Sequence, residues 1–392
     1  MQALLDHSAE LLDGRHGLPD RHALDAALAR IANGADELDR HPAFPHDAFR
    51  ELAGAGVLGA TLPGPDGRRI PFADELRLVR EVSRADGSVG RILDGHFNAV
   101  ERLTVACADT LEDGDHARIA AGDLLLGVWG ADPGAGEGEP ARLHGARLDG
   151  VKTFCSGAGG VQRALVVARD QDGERRLAYV DLSQRVSIDR SWYRGEGLRA
   201  SESHRVVFDG ALVPAVLGGP GEASREPWFS RDAIRTSATW AGIADSVLAA
   251  ALSFLRARGE PGEIAALAAG RMRVAVATID RWIDHAAKRA EATSATARAA
   301  KRAEATSATA RAIATPNAGP PVTHTAIEAR WAIAAAAREL AAEAALACGS
   351  RPLATGGTLS RGRRDLDLFL LQHRLEPLLA RHGAAAIGGE GP

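Results

Sequence analysis

The feature that most constrains the fold of this chain is the order of its hydrophobic patterns. Apolar side chains recur at three- and four-residue spacing through residues 25–107, which predicts helices. Short apolar runs between turn residues follow in the region 122–217 and predict β-strands. Helical spacing returns at residue 232 and continues to residue 382. Because strands and helices are grouped rather than alternating, we expect an α+β protein and not a doubly wound sheet.

The length and composition agree with several domains of a globular protein. The chain has 392 residues, of which 45% are hydrophobic and 25% are charged. These values are ordinary for a protein with a packed core and exclude a wholly disordered chain. We predict a helical N-terminal domain at 1–120, a β-domain at 121–218 and a helical C-terminal domain at 219–392.

Three local signals predict individual elements. Asp172-Gly173, between two apolar runs, is typical of a β-hairpin turn. Thr325–Glu328 matches a capping box, which predicts that the helix Ala326–Cys348 begins there. The spacing over Arg363–Arg381 predicts a single last helix.

A tandem repeat lies in the last third of the chain. The 13-residue sequence AKRAEATSATARA at Ala287–Ala299 is repeated identically at Ala300–Ala312, so the repeat occupies 287–312. A step of this length rotates a helix by about 220° beyond whole turns, so two copies on one helix cannot present the same face. The repeat also has almost no large apolar side chains. We therefore predict a solvated helix extension or a loop excursion.

The charge and the cysteines exclude several kinds of partner and site. The formal net charge is −4, so no basic excess is present to bind nucleic acid or an anionic membrane. The three cysteines are far apart and do not match a zinc site, and we predict no metal. The first residues lack the apolar core of a signal peptide. Asp245 interrupts the longest apolar stretch, Ala238–Leu255, and we expect a cytoplasmic protein.

Four segments carry distinctive motifs in a definite order. They are Ser83–Gly90 followed by His96, Trp129–Gly136, Leu148–Gly157, and Gly197–Ser203 followed by Val206–Asp209 and Pro214. Each motif is weak alone, but four in this order make the chain resemble the acyl-CoA dehydrogenase superfamily along most of its length. The resemblance implies a helical N-terminal domain, a β-barrel-like middle domain and a C-terminal four-helix bundle.

The resemblance also implies a flavoprotein with FAD as cofactor, or with reduced FMN or FAD as the alternative. An isoalloxazine needs a flat slot and hydrogen-bond partners along its edge, which tune its redox potential. By match of position, Ser156 would bond near flavin N5 and Phe154 would cover one face of the ring. Trp129, Gly130 and Ala131 belong to a Gly-rich loop whose amides would approach the flavin or a phosphate. Ala131 stands where the family usually has threonine.

The family's catalytic carboxylate is missing from both of its usual positions. Removal of a substrate α-proton requires a base, which the family supplies as a glutamate. The aligned positions hold Ile234 and Arg361 in this chain. The family's R-x-x-F-G segment, which binds the adenine half of FAD, is also altered, because 256–263 contains no phenylalanine. The adenine half of FAD would accordingly be held less tightly.

The C-terminal sequence is more similar to a second branch of the superfamily. Leu359–Leu366, with His373 after it, looks like the L-Q-R-x-x-R-D-[LI]…H pattern of flavin-dependent monooxygenases on the same fold. In that branch a histidine near the flavin assists the oxygen chemistry. By position, His373 fits this role and His96 fits a second histidine in the pocket, so both are predicted catalytic residues.

Three functions are compatible with these observations. The first is a flavin-dependent oxidoreductase of acyl-CoA dehydrogenase type, acting on a CH–CH bond of an acyl thioester or related substrate, with the usual catalytic glutamate missing. The second is a reduced-flavin-dependent monooxygenase, and the third is a non-catalytic flavin-binding or scaffold protein. The resemblance also implies a small-molecule substrate, a homo-oligomer (dimer or tetramer) and, for the second function, a flavin reductase as partner.

Overall fold

The structure is a computed structural model, and it describes residues 17–106, 110–112, 114–260, 262–306, 321–372 and 374–388. Its helices and strands confirm the α+β class. The chain divides into two compact units, the first containing the residues up to Ile70 and Leu78–Ser224, the second containing Pro71–Arg77 and the residues from Arg225 onward. The three-domain division, the barrel-like sheet and the four-helix bundle stay predictions.

Five helices precede the sheet along the described chain. They are α1 (Arg21–Arg40), α2 (His46–Gly54), α3 (Phe72–Ala85), α4 (Gly87–Ala106) and α5 (Asp115–Ala121). α1 begins after Asp20, whose carboxylate accepts a hydrogen bond from Ala23 N at 2.8 Å and satisfies a free amide of the first turn. The buried residues of α1 recur at helical spacing, at Leu24, Ala27, Ile31 and Ala35, so one face packs inward.

Eight strands of the described residues form one mixed sheet. They are β1 (Leu126–Trp129), β2 (Arg142–His144), β3 (Arg147–Cys155), β4 (Arg163–Arg169), β5 (Arg175–Asp181), β6 (Val186–Asp189), β7 (His204–Leu212) and β8 (Ala215–Leu217). Neighbouring strands follow the order β6-β7-β3-β2-β4-β5-β8, and β1 pairs with β4 in parallel. β4 and β5 pair antiparallel on either side of Gly173, where φ is 83°, so the predicted hairpin is confirmed.

The core of the first unit lies where α4 and α5 pack on the sheet. It consists of aliphatic side chains and one tyrosine: Ala99, Val100, Leu103, Ile119, Leu124, Leu126, Leu165, Val167, Leu177, Tyr179 and Leu217. The centre of β4, Ala164–Ala168, is buried on both faces, which explains its unbroken apolar sequence. Because aromatic residues are only 4% of the chain, aliphatic packing dominates this core.

Within the described part of the chain, six helices follow the sheet. They are α6 (Trp228–Ala257), α7 (Glu263–Thr306), α8 (Val322–Cys348), α9 (Arg351–Ala354), α10 (Thr358–Phe369) and α11 (Glu376–Ile387). Among the described residues, α6 is the one helix long and apolar enough to cross a membrane, and 61% of its most apolar window is buried within the protein. Close packing of α10 depends on Gly362, because a Cβ there would lie 2.8 Å from Val247 of α6.

A cluster of buried charged side chains lies in the second unit. Arg235 is fully buried, contacts the carboxylate of Glu75 and donates to Asp232 Oδ1 at 2.7 Å. Arg231 lies 3.6 Å from Glu75, and its guanidinium carbon is 3.7 Å from the centre of the Phe72 ring. Opposite charges at this distance offset the cost of removing the guanidinium groups from water.

Two predicted helix boundaries are wrong. α8 begins at Val322, directly after Pro321, and Thr325 therefore lies inside the helix and does not cap it. The fixed φ of a proline suits the start of a helix, which explains the earlier beginning. The predicted last helix is two helices, α10 and α11, because Pro377 lies in the first turn of α11, where a proline can begin a helix but not continue one.

The first copy of the tandem repeat packs within the second unit, so it is not a solvated extension. Its buried side chains are small: Ala287, Ala290 and Ser294. Glu291 accepts a hydrogen bond from Phe72 N at 3.1 Å and lies 3.6 Å from Arg231. The backbone of α7 continues into the second copy as far as Thr306, and 307–312 lies outside the described residues.

Candidate functional site

The candidate site is built on a β-bulge at Phe154. Along the β3–β7 pair, Lys152 lies opposite Val206 and Cys155 lies opposite His204, so three steps on β3 match two steps on β7. Phe154 has φ 51°, in the left-handed region that residues with a Cβ rarely adopt. Its ring is 45% exposed, although the residues on either side of it are buried. An exposed aromatic residue in a strained backbone is a feature that clusters at ligand sites.

The strand before the bulge holds the Gly-rich loop in place. The buried ammonium of Lys152 donates to Gly130 O at 3.2 Å and to Asp132 Oδ1 at 2.6 Å. Thr153 donates from its backbone to Ala131 O at 3.2 Å and from its hydroxyl to Asp132 O at 3.1 Å. Burial lowers the pKa of Lys152, against the opposing effect of Asp132. The carbonyls of Gly130 and Ala131 are thus used to attach the loop beside the bulge.

Glu137 connects this loop to an aromatic pair formed by Phe154 and Trp192. Its carboxylate accepts hydrogen bonds from Gly134 N and from Trp192 Nε1, both at 2.7 Å. The Trp192 indole meets the Phe154 ring edge-on, with 4.9 Å between the ring centres. The hydrogen bond from Gly134, together with that from Trp192, lowers the pKa of Glu137. An ionised acceptor therefore holds the indole beside Phe154.

Three serine hydroxyls form a hydrogen-bonded chain next to the bulge, which we call the serine chain: Ser156, Ser203 and Ser201. Ser156 Oγ is 2.9 Å from Ser203 Oγ, which is 2.7 Å from Ser201 Oγ. Ser201 is fully buried, whereas Ser156 is 8% exposed. The buried indole of Trp129 donates to Ser156 O at 3.0 Å and holds that backbone. Ser156 is therefore the outer end of the serine chain.

The inner part of the serine chain is attached to the turn that follows the bulge. Gly157 N donates to Ser201 O at 2.8 Å, and Ala158 N donates to Glu202 O at 3.2 Å. Glu202 has φ 49°, and its carboxylate lies 3.2 Å from His204 Nε2. Burial alone would raise the pKa of Glu202, but the neighbouring His204 and Arg190 side chains bring it below the ordinary value. A second residue with a left-handed backbone thus lies two positions before β7, the strand that pairs with β3.

His96 is fully buried, and both of its ring nitrogens have protein partners. Nε2 donates to Leu58 O at 3.1 Å, and Nδ1 accepts from Leu126 N at 3.2 Å. Burial lowers the pKa of His96 to about 4, against the opposing effect of the bond to Leu58. A neutral ring with both nitrogens in use has no atom left for proton transfer. The geometry favours a structural role for His96 over the catalytic role predicted from the sequence.

The structure brings some predicted site residues together and leaves others apart. Phe154, Ser156 and the loop containing Gly130 and Ala131 lie side by side, as the hydrogen bonds above show. The side chain of Trp129 is 1% exposed and supports Ser156 from the interior. His373 lies outside the described residues. The flavin contacts assigned to these residues stay predictions.

The two positions at which the family has its glutamate hold no acid. Ile234 lies on α6 and is 1% exposed, and Arg361 lies on α10 and is 8% exposed. A base for α-proton removal would have to come from another position.

Sequence reasoning assigned no role to Glu137 and to the pair Ser201 and Ser203. The signal for Glu137 was its place in a loop where the family usually has serine. The signal for the serines was their place in the Gly197–Ser203 motif, directly before β7. Neither signal names a partner, because Trp192 and Ser156 are distant along the chain.

Comparison with known proteins defines the class of this protein. Residues 21–109 match the acyl-CoA dehydrogenase N-terminal domain. The chain is 25% identical over 260 residues to a probable acyl-CoA dehydrogenase, YngJ, of Bacillus subtilis. This alignment covers 61% of this chain and 68% of that protein. It is 27% identical over 273 residues to dibenzothiophene monooxygenase of Rhodococcus erythropolis, which covers 62% of this chain and 65% of that protein.

The fold is also that of a solved structure. FMN-bound TdsC from Paenibacillus sp. A11-2 has a TM-score of 0.76 at 18% identity, over 95% of this chain and 98% of that one. This likeness shows the fold, and the sequence relatives show the class, which is that of flavin-dependent oxidoreductases. The resemblance to the acyl-CoA dehydrogenase superfamily that the four motifs predicted is thereby confirmed, with the N-terminal domain of that family at residues 21–109.

Proposed function

We propose that this protein is a monooxygenase that uses reduced flavin to insert one oxygen atom of O₂ into a small organic substrate. The observation that carries the proposal is that buried Ile234 and Arg361 occupy both positions of the dehydrogenase base. Arg235, next to the first of these positions, is bonded to Glu75 and Asp232. Oxygen insertion does not require a carboxylate to remove an α-proton, so the absence of both glutamates is compatible with it.

The residues around the bulge fit an isoalloxazine ring. Phe154 offers an exposed aromatic face next to Trp192, and the hydroxyl of Ser156 ends the serine chain at the same place. A flavin requires such a face and a hydrogen-bonding group at its edge. The Gly-rich loop beside them packs closely, because a Cβ at Gly138 would lie 2.7 Å from Val151. We take these contacts as support for a flavin site on this face of the first unit.

In this proposal the side chains of the protein bind the flavin and orient it. When bound, reduced flavin supplies the two electrons with which one atom of O₂ enters the substrate and the other leaves as water. Ser156 Oγ–H donates to the edge of the ring, Phe154 covers one face, and Trp192 excludes water beside that face. We propose that His373 holds the proton that the departing water requires.

We propose FMN rather than FAD as the flavin. α6 ends at Ala257, and the sequence that follows, 258–262, has glycine, glutamate and proline where the family has the Phe-Gly that contacts adenine. FMN lacks the adenylate and does not need that contact. TdsC, which shares the fold, is FMN-bound. A separate flavin reductase would supply the reduced form.

A dehydrogenase is the second candidate function. The N-terminal domain match and the likeness to YngJ favour it. It requires a base outside the usual positions, and Asp365 on α10, which is 3% exposed, is an acidic side chain of the second unit that could be tested. A flavin-binding protein that catalyses no reaction is the third candidate function.

A single set of assays separates the candidates. Purified protein is mixed without oxygen with reduced FMN, and then oxygen is added with dibenzothiophene or indole as trial substrates. We expect the protein to bind reduced FMN and to form an oxygenated product. Reduction of protein-bound FAD by an acyl-CoA would contradict the monooxygenase and support the dehydrogenase. Binding without either reaction would support the non-catalytic protein.

Matched variants test the two principal residues. Ser156→Ala is expected to weaken flavin binding about tenfold, which corresponds to one lost hydrogen bond. Ser187→Ala, at an exposed position on β6, is the control and should bind as the wild type does. His373→Ala should bind flavin normally and lose most of the turnover. Full activity in His373→Ala would remove this residue from the mechanism.

A further inference from the structure

We propose that Ser203 and Ser201 are positioning residues that make the hydroxyl of Ser156 a permanent proton donor toward bound flavin. The inference rests on the proposed function, because it requires a flavin at Ser156. The number of protons and acceptors in the serine chain determines the direction of its hydrogen bonds.

The three hydroxyls have three protons and make two hydrogen bonds with one another. The two bonds, Ser156–Ser203 and Ser203–Ser201, use two protons, so one proton is left for a partner outside the serine chain. Its place depends on the direction of the two bonds. If Ser201 donates to Ser203 and Ser203 to Ser156, the free proton is on Ser156. In the reverse direction it is on Ser201, and if Ser156 and Ser201 both donate to Ser203 it is on Ser203.

Burial selects among the three arrangements. Ser201 is fully buried, and among the described residues its hydroxyl has Ser203 as its hydrogen-bond partner. A buried donor without an acceptor costs about 1–3 kcal/mol. The reverse direction would leave such a donor on Ser201, and the third arrangement would leave one on Ser203, which is 6% exposed and has the other two serines as its hydroxyl partners among the described residues. The forward direction leaves the free proton on Ser156, which at 8% exposed is the outermost of the three.

The backbone keeps the inner end of the chain in place. Ser201 O accepts a hydrogen bond from Gly157 N at 2.8 Å, directly after the residue that carries the outer hydroxyl. Trp129 Nε1 holds Ser156 O at 3.0 Å from the other side. These bonds fix the backbone at both ends of the serine chain. In the forward direction Ser156 Oγ accepts a hydrogen bond from Ser203 and its own proton points outward.

A serine that always donates a hydrogen bond affects the binding of the two redox forms of flavin differently. A serine with only a structural role does not. Nitrogen N5 of oxidised flavin accepts a hydrogen bond, whereas the same nitrogen in reduced flavin carries a proton and donates. A donor that cannot reverse therefore favours the oxidised ring over the reduced ring. Removal of Ser203 should weaken the binding of oxidised FMN more than that of reduced FMN.

The experiment measures Kd for oxidised and for reduced FMN in the full-length protein and its variants. We expect Ser203→Ala to weaken oxidised FMN about threefold, with a smaller change for reduced FMN. Ser203→Thr keeps the hydroxyl and should restore the wild-type ratio of the two Kd values. In Ser156→Ala, the further change Ser203→Ala should have no effect on that ratio, because Ser203 acts through Ser156. Ser187→Ala is again the control.

Two outcomes would overturn the inference. One is an unchanged ratio of the two Kd values in Ser203→Ala, which includes an equal weakening of both redox forms. The other is an additive effect on that ratio in the double variant. Thermal unfolding of each variant separates a loss of fold from a loss of positioning. If the wild type binds neither form of FMN, the proposed function fails as well; if Ser156→Ala shifts the ratio and Ser203→Ala does not, only the positioning role fails.

Discussion

At the scale of single residues, Phe154, whose exposed ring lies at the candidate site, has an unfavourable backbone conformation. Phe154 has φ 51°, a conformation that costs a residue with a Cβ about 1–2 kcal/mol and costs glycine almost nothing. We expect Phe154→Gly to have a free energy of unfolding about 1 kcal/mol higher than that of Phe154→Ala, as measured by urea unfolding. Both variants lose the ring and should bind FMN less tightly. Equal stability of the two variants would show that the backbone strain is absent.

His96 makes the fold sensitive to acid. Its pKa is about 4 in the native protein and about 6.5 in an unfolded chain. Between these values the unfolded state binds the extra proton, so the free energy of unfolding rises with pH. Between pH 8 and pH 5 the protonation of this residue alone should lower the free energy of unfolding by about 2 kcal/mol.

Urea unfolding at several pH values checks this prediction. His96→Gln, which cannot titrate, is expected to be less stable than the wild type at pH 8, because Leu58 O and Leu126 N lose their partners. Its stability should change less between pH 8 and pH 5. If the variant shows the same pH dependence as the wild type, the acid sensitivity has another source.

At the scale of elements, two adjacent strands and one loop build the candidate site. β3 supplies Lys152 and Thr153 to the loop, and the bulge that follows re-aims Phe154 outward. β7 begins directly after the serine chain. Because bulges and strained residues end the regular ladder here, the side chains at this position are free to serve a ligand rather than the sheet.

The tandem repeat supplies a prediction for α7 and α8. Arg271 of α7 forms an ion pair with Glu343 of α8. Antiparallel packing of the two helices about this contact places the start of α8, Val322, level with about residue 292. Nine residues, 313–321, would remain as a connection if 300–312 were deleted, and they can span about 30 Å. The distance required is about 15 Å, since seven residues of helix rise about 10 Å along the axis and packed helices lie about 8–10 Å apart.

We therefore expect deletion of 300–312 to leave the fold intact. Tm should change by less than about 3 °C, because the docked residues of the first copy, among them Glu291 and Ser294, are retained. Glu291→Ala is the comparison and should lower Tm, since it removes the acceptor of Phe72 N. A deletion variant that fails to fold would show that the second copy is required.

At the scale of the whole molecule, an exposed apolar surface bears on the expected homo-oligomer. α7 exposes Ile264, Leu267 and Val274, at 84%, 57% and 67% of their surface, and α8 exposes Leu346 at 79%. Large apolar side chains grouped on one surface favour contact with another protein. We expect a dimer or tetramer that uses this surface.

Light scattering after size exclusion measures the assembly. The double change Leu267→Lys and Val274→Lys should lower the molar mass in solution, since buried lysines disfavour the contact. Ile387→Lys, on α11 where the side chain is 91% exposed, is the control and should leave the mass unchanged. A wild-type monomer, or an unchanged mass in the double variant, would contradict the prediction.

Patterns that are local in the chain could be predicted well. The α+β class and the hairpin at Asp172-Gly173 depend on residue spacing and turn chemistry. The capping box at Thr325 failed because Pro321, four residues earlier, already begins the helix. The predicted last helix failed because Pro377 starts a new one. In each failure a proline, whose fixed φ acts at one residue, outweighed a pattern spread over many.

The sequence by itself determined the class of the protein and the neighbourhood of its site. Its four motifs led to the superfamily and to Phe154 and Ser156, because motif residues are close together along the chain. Only the tertiary structure decided what their neighbours do. The bulge, the bond from Trp192 to Glu137 and the contact of Ser203 with Ser156 join residues about 50 positions apart, and His96 was satisfied by two distant backbone groups. The direction of a hydrogen bond and the exposure of a ring depend on such contacts, and residue spacing does not contain them.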